Sequence, residues 1–149
     1  MIRFIEESDI KNVVALGKKL HEESPIFSGN KWNELKAIQM AERIISNDRE
    51  CGILAFSEGK LVGMILGFID THYFSDDEFL SEYFVYVEQS KRGSKLGISL
   101  LQAWINWGRI NGIEETWMQY STNINLEKTD KFFQKIGFNK IGYIYKRGT

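Results

Sequence analysis

The stretch from Glu82 to Ile105 constrains the fold more than any other part of this sequence. It begins with a strand pattern, Glu82–Val87, that is rich in aromatic and β-branched residues. A glycine-bearing turn, Arg92–Gly97, follows and leads into an amphipathic helix. The apolar residues that share one face of this helix are Leu96, Leu100, Leu101, Trp104 and Ile105. Unpaired backbone N–H groups at such a helix start suit an anion such as a pyrophosphate, and glycine permits its close approach.

The turn by itself is not specific for one ligand. Gly93 and Gly97 form GxxxG, so the dinucleotide fingerprint GxGxxG is absent, and no GxxxxGK[ST] phosphate loop occurs. A structural alternative, in which Gly93 only shapes the connection between strand and helix, is equally open.

Composition restricts the classes of protein that remain. The 149 residues predict one domain, residues 1–149, and 43% hydrophobic residues predict a globular fold. A net charge of -1 without blocks of like charge disfavours nucleic acid and membrane surfaces as partners. Cys51 is the only cysteine, so no internal disulfide or cysteine-based metal site is expected, and no metal site is predicted. With no leader-like or membrane-spanning apolar run, the expected location is cytoplasmic.

Hydrophobic periodicity predicts an α/β fold with the order β-α-α-β-β-β-α-β-α-β, as a mixed central sheet flanked by helices on both faces. The first strand opens the chain, and Ser8 is the predicted N-cap of the first helix. The remaining predicted helices are Trp32–Ile45, Ser94–Asn111 and Leu126–Ile136, and the remaining strands are Gly52–Phe56, Lys60–Ile69, Glu78–Val87, Glu115–Tyr120 and Phe138–Tyr145.

Two motifs resemble those of the GCN5-related N-acetyltransferase (GNAT) family. Val85–Leu101 resembles motif A, a strand ending in an apolar-aromatic-Val pattern followed by [Q/R]-x-x-G-x-[G/A]. Arg92 and Gly97 match the two ends of that motif, whereas Lys95 replaces its middle glycine. Phe132–Phe138 resembles the family's F-Y-x-K-x-G-F ending of the last helix. With a similar opening strand and helix cap, the resemblance extends over almost the whole chain.

The resemblance implies a GNAT-like enzyme that transfers an acetyl group from acetyl-CoA to an amine. In the family, the backbone of the fourth strand pairs with the pantetheine arm, the glycine loop binds the pyrophosphate, an asparagine after the fifth strand bonds CoA, and the last helix packs near the sulfur. The residues that correspond here are Val85, Tyr86 and Val87 for the strand, Arg92, Gly93, Ser94, Lys95, Leu96 and Gly97 for the loop, Asn125 for the asparagine and Phe133 for the helix.

The catalytic candidates are Glu82 as base and Tyr120 as acid. A carboxylate buried near the thioester can have a raised pKa and accept the amine proton. The alternative for Glu82 is a solvated or ion-paired strand residue, with Glu78 in reserve. The family's common tyrosine acid aligns with Phe133, which cannot donate a proton. Tyr120 is the substitute, unless it is a buried tyrosine with a structural hydrogen bond and solvent or the substrate ammonium supplies the proton.

Lys95 leaves two interpretations open in the pyrophosphate loop. Its side chain can reach a phosphate as a point charge, or it can lie in helical conformation and point into water. A positive φ at this position would strain a lysine and disfavour binding.

Two mixed acidic and aromatic segments, Glu22–Asn33 and Asp70–Asp77, are predicted to set the acceptor specificity. Their acidic groups favour a cationic amine on a small molecule or a peptide. The alternative function is a non-catalytic GNAT-like module that binds CoA or a protein, which Lys95 and Phe133 motivate. GNAT domains often have one more strand than this sequence predicts, so we expect either a sheet that is one strand short or a second copy that completes it in a homodimer.

Overall fold

The computed structural model describes residues 1–148 and contains one five-stranded mixed sheet in the spatial order β1-β2-β3-β4-β5. The strands β1 to β4 are antiparallel to their neighbours, and β5 runs parallel to β4. The bounds are Ile2–Phe4 for β1, Glu50–Ser57 for β2, Lys60–Thr71 for β3, Glu78–Val87 for β4 and Thr116–Trp117 for β5. The predicted α/β class and mixed sheet are confirmed.

Four helices cover the two faces of the sheet, as predicted. They are α1 (Ile10–Glu23), α2 (Glu34–Ser46), α3 (Leu96–Ile110) and α4 (Leu126–Lys135). Since side chains alternate along a strand, Leu54 and Met64 pack under α1 and α2, whereas Ile53 and Ile65 pack under α3. The sheet therefore separates two hydrophobic cores.

The start of α1 differs from the prediction, because Ser8 is not its cap. A 3-10 turn, Glu7–Asp9, precedes the helix, and the Asp9 carboxylate accepts a hydrogen bond from the Glu6 N–H at 2.9 Å. The same carboxylate binds both terminal nitrogens of Arg3, at 2.6 and 2.8 Å. Arg3 thereby holds the pKa of Asp9 below its ordinary value. A carboxylate can bind the β1 guanidinium and the turn together, which a serine hydroxyl cannot.

The prediction of a strand over Phe138–Tyr145 is wrong. Residues 138–148 form no helix or strand, and Ile141, Tyr143, Ile144 and Tyr145 are all exposed. Their apolar pattern is typical of a strand, but a strand also needs a neighbour for its backbone groups. The predicted strand Glu115–Tyr120 is likewise shorter, because only Thr116 and Trp117 pair with β4.

Gly67 lies where α3 packs closely against the sheet. A Cβ built on Gly67 would lie 2.5 Å from Nε1 of Trp104 and 2.6 Å from the backbone oxygen of Ser81. Trp104 is fully buried, so neither neighbour can move aside without disturbing the core. Glycine at this position therefore allows α3 to approach β3 and β4.

We expect Gly67→Ala to lower the free energy of unfolding by about 1 to 3 kcal/mol, because overpacking displaces Trp104. Gly17→Ala is the matched control, since a Cβ there would lie 3.6 Å from the nearest Trp32 atom and alanine favours the α1 helix. Urea unfolding of both variants measures the difference. Equal stabilities would show that the tight approach of α3 at Gly67 is unimportant.

Candidate active site

The strands β4 and β5 separate soon after they pair. Leu80 pairs with Thr116 and Ser81 with Trp117, and the parallel ladder ends there. From Phe84 to Val87, β4 has no strand neighbour on this side within residues 1–148. The divergence opens a slot between the two strands. One wall of this slot is the unpaired backbone edge of β4.

A bulge in β4 lies where this slot begins. Leu66 of β3 pairs with Phe84 and Gly67 pairs with Glu82, so Tyr83 is an extra residue in the ladder. Bulges redirect the side chains of a strand and occur often beside active sites. Here Glu82 is buried, whereas Tyr83 reaches the surface.

Glu82 is a buried carboxylate at the opening of the slot, only 6% exposed. Its Oε1 accepts a hydrogen bond from the backbone N–H of Gln119 at 2.7 Å. Its Oε2 is buried and has no hydrogen-bond partner within the described chain. Burial raises the pKa of Glu82 to about 7, against the opposing effect of the Gln119 hydrogen bond. A carboxylate with such a pKa can take up and release a proton near neutral pH.

Glu82 lines a cleft of about 610 Å³ formed by α1, α2, the segment between them, β4 and the residues that follow β5. Most of the lining is apolar or aromatic, including Leu20, Phe27, Trp32, Met40, Phe84 and Met118. The predicted segment Glu22–Asn33 does reach this cleft, through Phe27, Lys31 and Trp32.

None of the residues of the other predicted specificity segment, Asp70–Asp77, lines this cleft. This loop precedes Glu78, at the end of β4 where β5 is still paired, whereas the cleft opens further along the strand. Lys36, Met40 and Arg43 of α2 also line the cleft and are not among the residues predicted from the sequence. Their spacing of three and four residues places them on one helical face, and that periodicity was the available signal.

The turn before α3 supplies free backbone donors. Gly93 has a φ of 81°, whereas Lys95 has a φ of -74° in the right-handed region, so Lys95 is not strained. Helix α3 starts at Leu96, and the N–H groups of Gly97 and Ile98 find no acceptor among residues 1–148. The helix start can therefore bind an anion, while the Lys95 side chain is exposed.

The Arg92 side chain forms hydrogen bonds within the protein. Its two terminal nitrogens bind the two carboxylate oxygens of Glu23, and its Nε donates to the Val87 oxygen at 2.9 Å. The Tyr86 hydroxyl donates to the same Glu23 at 2.7 Å. Arg92 lowers the pKa of Glu23, and burial together with Glu23 raises the pKa of Tyr86. The Arg92 guanidinium thus fastens the end of β4 to the end of α1, and its backbone N–H donates to the Gln89 oxygen at 3.3 Å.

The other predicted residues lie in α4 or in the segment before it. The Tyr120 hydroxyl donates to the Ile124 backbone oxygen, which is the structural hydrogen bond considered from the sequence. The Tyr120 ring packs edge-on against Phe133, with centroids 6.1 Å apart. Asn125 has a φ of 47° and precedes α4, and its side chain does not cap that helix. Phe133 is half-buried against the core under α3.

Within residues 1–148, no three His, Cys, Asp or Glu side chains come together in a group able to hold a metal ion. In the same range, none of the helices combines the length and apolar character that crossing a bilayer requires.

Comparison with known proteins identifies relatives by family and by fold. The family model described as the acetyltransferase (GNAT) family matches residues 17–138. Among curated protein sequences, none matches the chain. Several solved structures share its fold at low sequence identity. Three of them are named as proteins with different functions.

The aminoglycoside N-acetyltransferase AAC(6')-Iy, in complex with a bisubstrate analog, has a TM-score of 0.80 and 20% identity, over 100% of this chain and 97% of that chain. A ribosomal-protein-alanine N-acetyltransferase from Brucella melitensis has a TM-score of 0.74 and 13% identity, over 100% and 99%. A transcriptional regulator from Bacillus halodurans has a TM-score of 0.81 and 14% identity, over 100% and 99%. At such identities the likeness establishes the fold and leaves the acceptor open.

The raised pKa of Glu82 predicts a pH-dependent loss of stability. The native carboxyl titrates at about 7 and the unfolded one at about 4.5. The native state therefore holds an extra proton between these values, and its stabilising effect is complete below pH 4.5 and lost as the pH rises through 7. We expect Glu82→Gln, which stays neutral, to gain up to about 3 kcal/mol over the parent between pH 4.5 and 8. Urea unfolding across this range measures the gap, and a gap independent of pH would contradict the raised pKa.

Proposed function

We propose that this chain, which belongs to the GNAT family of acetyltransferases, transfers an acetyl group from acetyl-CoA to a primary amine of a small molecule or peptide. The observation that carries the catalytic assignment is Glu82, a buried carboxylate with one unpartnered oxygen and a pKa of about 7, in the wall of a cleft beside the open strand edge.

Acetyl-CoA is proposed to bind between β4 and β5. The unpaired backbone of Val85, Tyr86 and Val87 pairs with the amide groups of the pantetheine arm, as an added strand would. The pyrophosphate lies on the turn formed by Arg92, Gly93, Ser94, Lys95, Leu96 and Gly97. Holding the thioester and amine together in this way is the largest contribution that such a site makes to the rate, worth roughly 7 to 11 kcal/mol when orientation is good.

Glu82 is proposed as the general base, directly or through one water molecule. The amine nitrogen attacks the thioester carbonyl carbon, the C–N bond forms and the C–S bond breaks. The proton lost by the amine passes to the carboxylate of Glu82. The hydrogen bond from Gln119 holds Oε1 in place and leaves Oε2 to accept the proton.

Tyr120 is proposed as the acid that protonates the leaving thiolate. To do so, its hydroxyl must give up its hydrogen bond to the Ile124 backbone oxygen and donate to the CoA sulfur instead. The substrate ammonium or solvent supplies the proton if this exchange does not occur. Asn125, whose side chain does not cap α4, is proposed to bond CoA, and Phe133 to pack beside the pantetheine.

A non-catalytic module that binds CoA is the alternative, and Phe133 in place of a tyrosine is the observation in its favour. Lys95 in place of the motif's glycine is the other feature that motivates this alternative, and its ordinary φ shows that the lysine is not strained. Homodimer formation also remains a proposal. The exposed apolar segment 138–145 supports it, and a measurement of molar mass in solution decides it.

We expect Gly97→Glu to weaken CoA binding at least about tenfold, because a negative side chain at the start of α3 repels the pyrophosphate. A Cβ at Gly97 would lie 3.8 Å from its nearest neighbour, in Phe132, so the fold accommodates a side chain. Gly97→Ala is therefore the matched control and retains binding. Titration calorimetry with CoA measures both variants. A folded Gly97→Glu protein that binds CoA as the parent does would place the pyrophosphate elsewhere.

The proposed activity is tested by amine-dependent release of free CoA thiol. We expect kcat/KM to rise with pH through about 7, because only the ionised Glu82 accepts a proton. Glu82→Gln should lower the rate about 10²- to 10⁴-fold and remove this rise. Glu78→Gln, at the far end of β4, is the control. An unchanged pH profile in Glu82→Gln would transfer the role to Glu78 or to the substrate, and CoA binding without turnover of any amine would favour the non-catalytic module.

A further inference from the structure

The charges around the cleft are mostly positive. Lys31, Lys36 and Arg43 line it, and Glu82 is the one carboxylate in its described lining. Arg43 is already paired, because its Nε contacts both oxygens of the buried Glu50 at 3.1 and 2.9 Å. Lys31 and Lys36 form no ion pair within residues 1–148. The uncompensated charge of the cleft, apart from Glu82, is therefore cationic.

Local structure places both lysines beside the start of α2. Lys31 precedes the helix, and Lys36 lies in its first turn, where its backbone N–H donates to Oδ1 of Asn33 at 3.0 Å. The positive end of the α2 dipole adds to their charge. Trp32 also lines the cleft, and its buried Nε1 has no acceptor among the described residues. This side of the cleft thus offers donors and positive charge.

The acidic residues expected to attract a cationic acceptor do not line the cleft. Glu22 and Glu23 border a separate depression with Lys19 and Glu88, and Glu23 is bound to Arg92. An acceptor with several ammonium groups would place at least one of them beside lysines that have no carboxylate partner, where like charges repel. The arrangement therefore disfavours the polycationic acceptor expected from the sequence.

We infer that the acceptor is an amine that also carries a negatively charged group, with its amino group at Glu82 and its anionic group at Lys31 and Lys36. This inference rests on the proposed acetyl transfer. The apolar wall formed by Phe27, Trp32, Met40 and Phe84 takes the body of the molecule between its two polar ends. A single ammonium is compensated by Glu82, and a single anionic group by the lysines.

The inference is tested with acceptors matched in length but different in charge. The probes are ω-amino acids from 4-aminobutanoate to 6-aminohexanoate, the corresponding ω-amino amides, and diamines of equal length. Phosphoethanolamine and ethanolamine form a second pair that distinguishes a phosphate from a carboxylate. We expect kcat/KM to be highest for an anionic member of the series and lowest for the diamines, with a gap of at least about tenfold.

Charge reversal shows whether the two lysines cause this preference. Lys36→Glu and Lys31→Glu should each reduce the preference for the anionic acceptor and improve the matched diamine. Lys60→Glu is the control, because Lys60 is exposed at the start of β3 outside the cleft and should change neither rate. A parent that prefers diamines, or a preference unaffected by both cleft variants, would overturn the inference.

Binding separates this inference from the proposed function. Calorimetry with the CoA-loaded protein measures the affinity of 6-aminohexanoate and 1,6-diaminohexane without need of turnover. If the anionic amine binds more tightly in a Lys36-dependent manner but no amine is acetylated, the proposed function fails and the inference about the ligand stands. If diamines are acetylated faster, the inference fails and the proposed function stands.

Discussion

The short parallel pairing of β4 and β5 is the constraint on which the rest of the site depends. The ladder ends at Trp117, and two residues later the Gln119 N–H donates to the side chain of Glu82 instead of to the backbone of β4. The acceptor at the point where the two segments diverge is therefore a side chain and not a backbone carbonyl of β4. The bulge at Tyr83 brings Glu82 into this position. One carboxylate thus ends the ladder and lies in the opening that results.

This arrangement has an energetic cost that a proposed catalytic role explains. Burial destabilises the ionised form of Glu82, because one of its carboxylate oxygens has no hydrogen-bond partner, and its pKa is therefore raised. A glutamine would keep the Gln119 hydrogen bond without the charge and would be the more stable choice. Destabilising groups are typical of functional sites, where stability is exchanged for reactivity.

A second contact stabilises the far end of the opening. Arg92 and Glu23, which are 69 residues apart, join the end of β4 to the end of α1. The Val87 oxygen and the Tyr86 hydroxyl belong to the same hydrogen-bond network. The strand edge proposed to hold pantetheine is therefore held by both Arg92 and Glu23. Partly buried networks of this kind are worth more than isolated surface ion pairs, because water screens them less.

The sequence by itself determined the local elements: the strand Glu78–Val87, the helical state of the residues after Lys95, and the glycine turn between them. Periodicity and turn chemistry act over a few residues, so they are readable without the fold. Only the tertiary structure decided that Arg92 binds Glu23, that α2 turns Lys36 toward the cleft, and that segment 138–145 has no strand partner among residues 1–148. A pattern shows which face of an element is apolar, whereas the partner across that face depends on how distant segments pack.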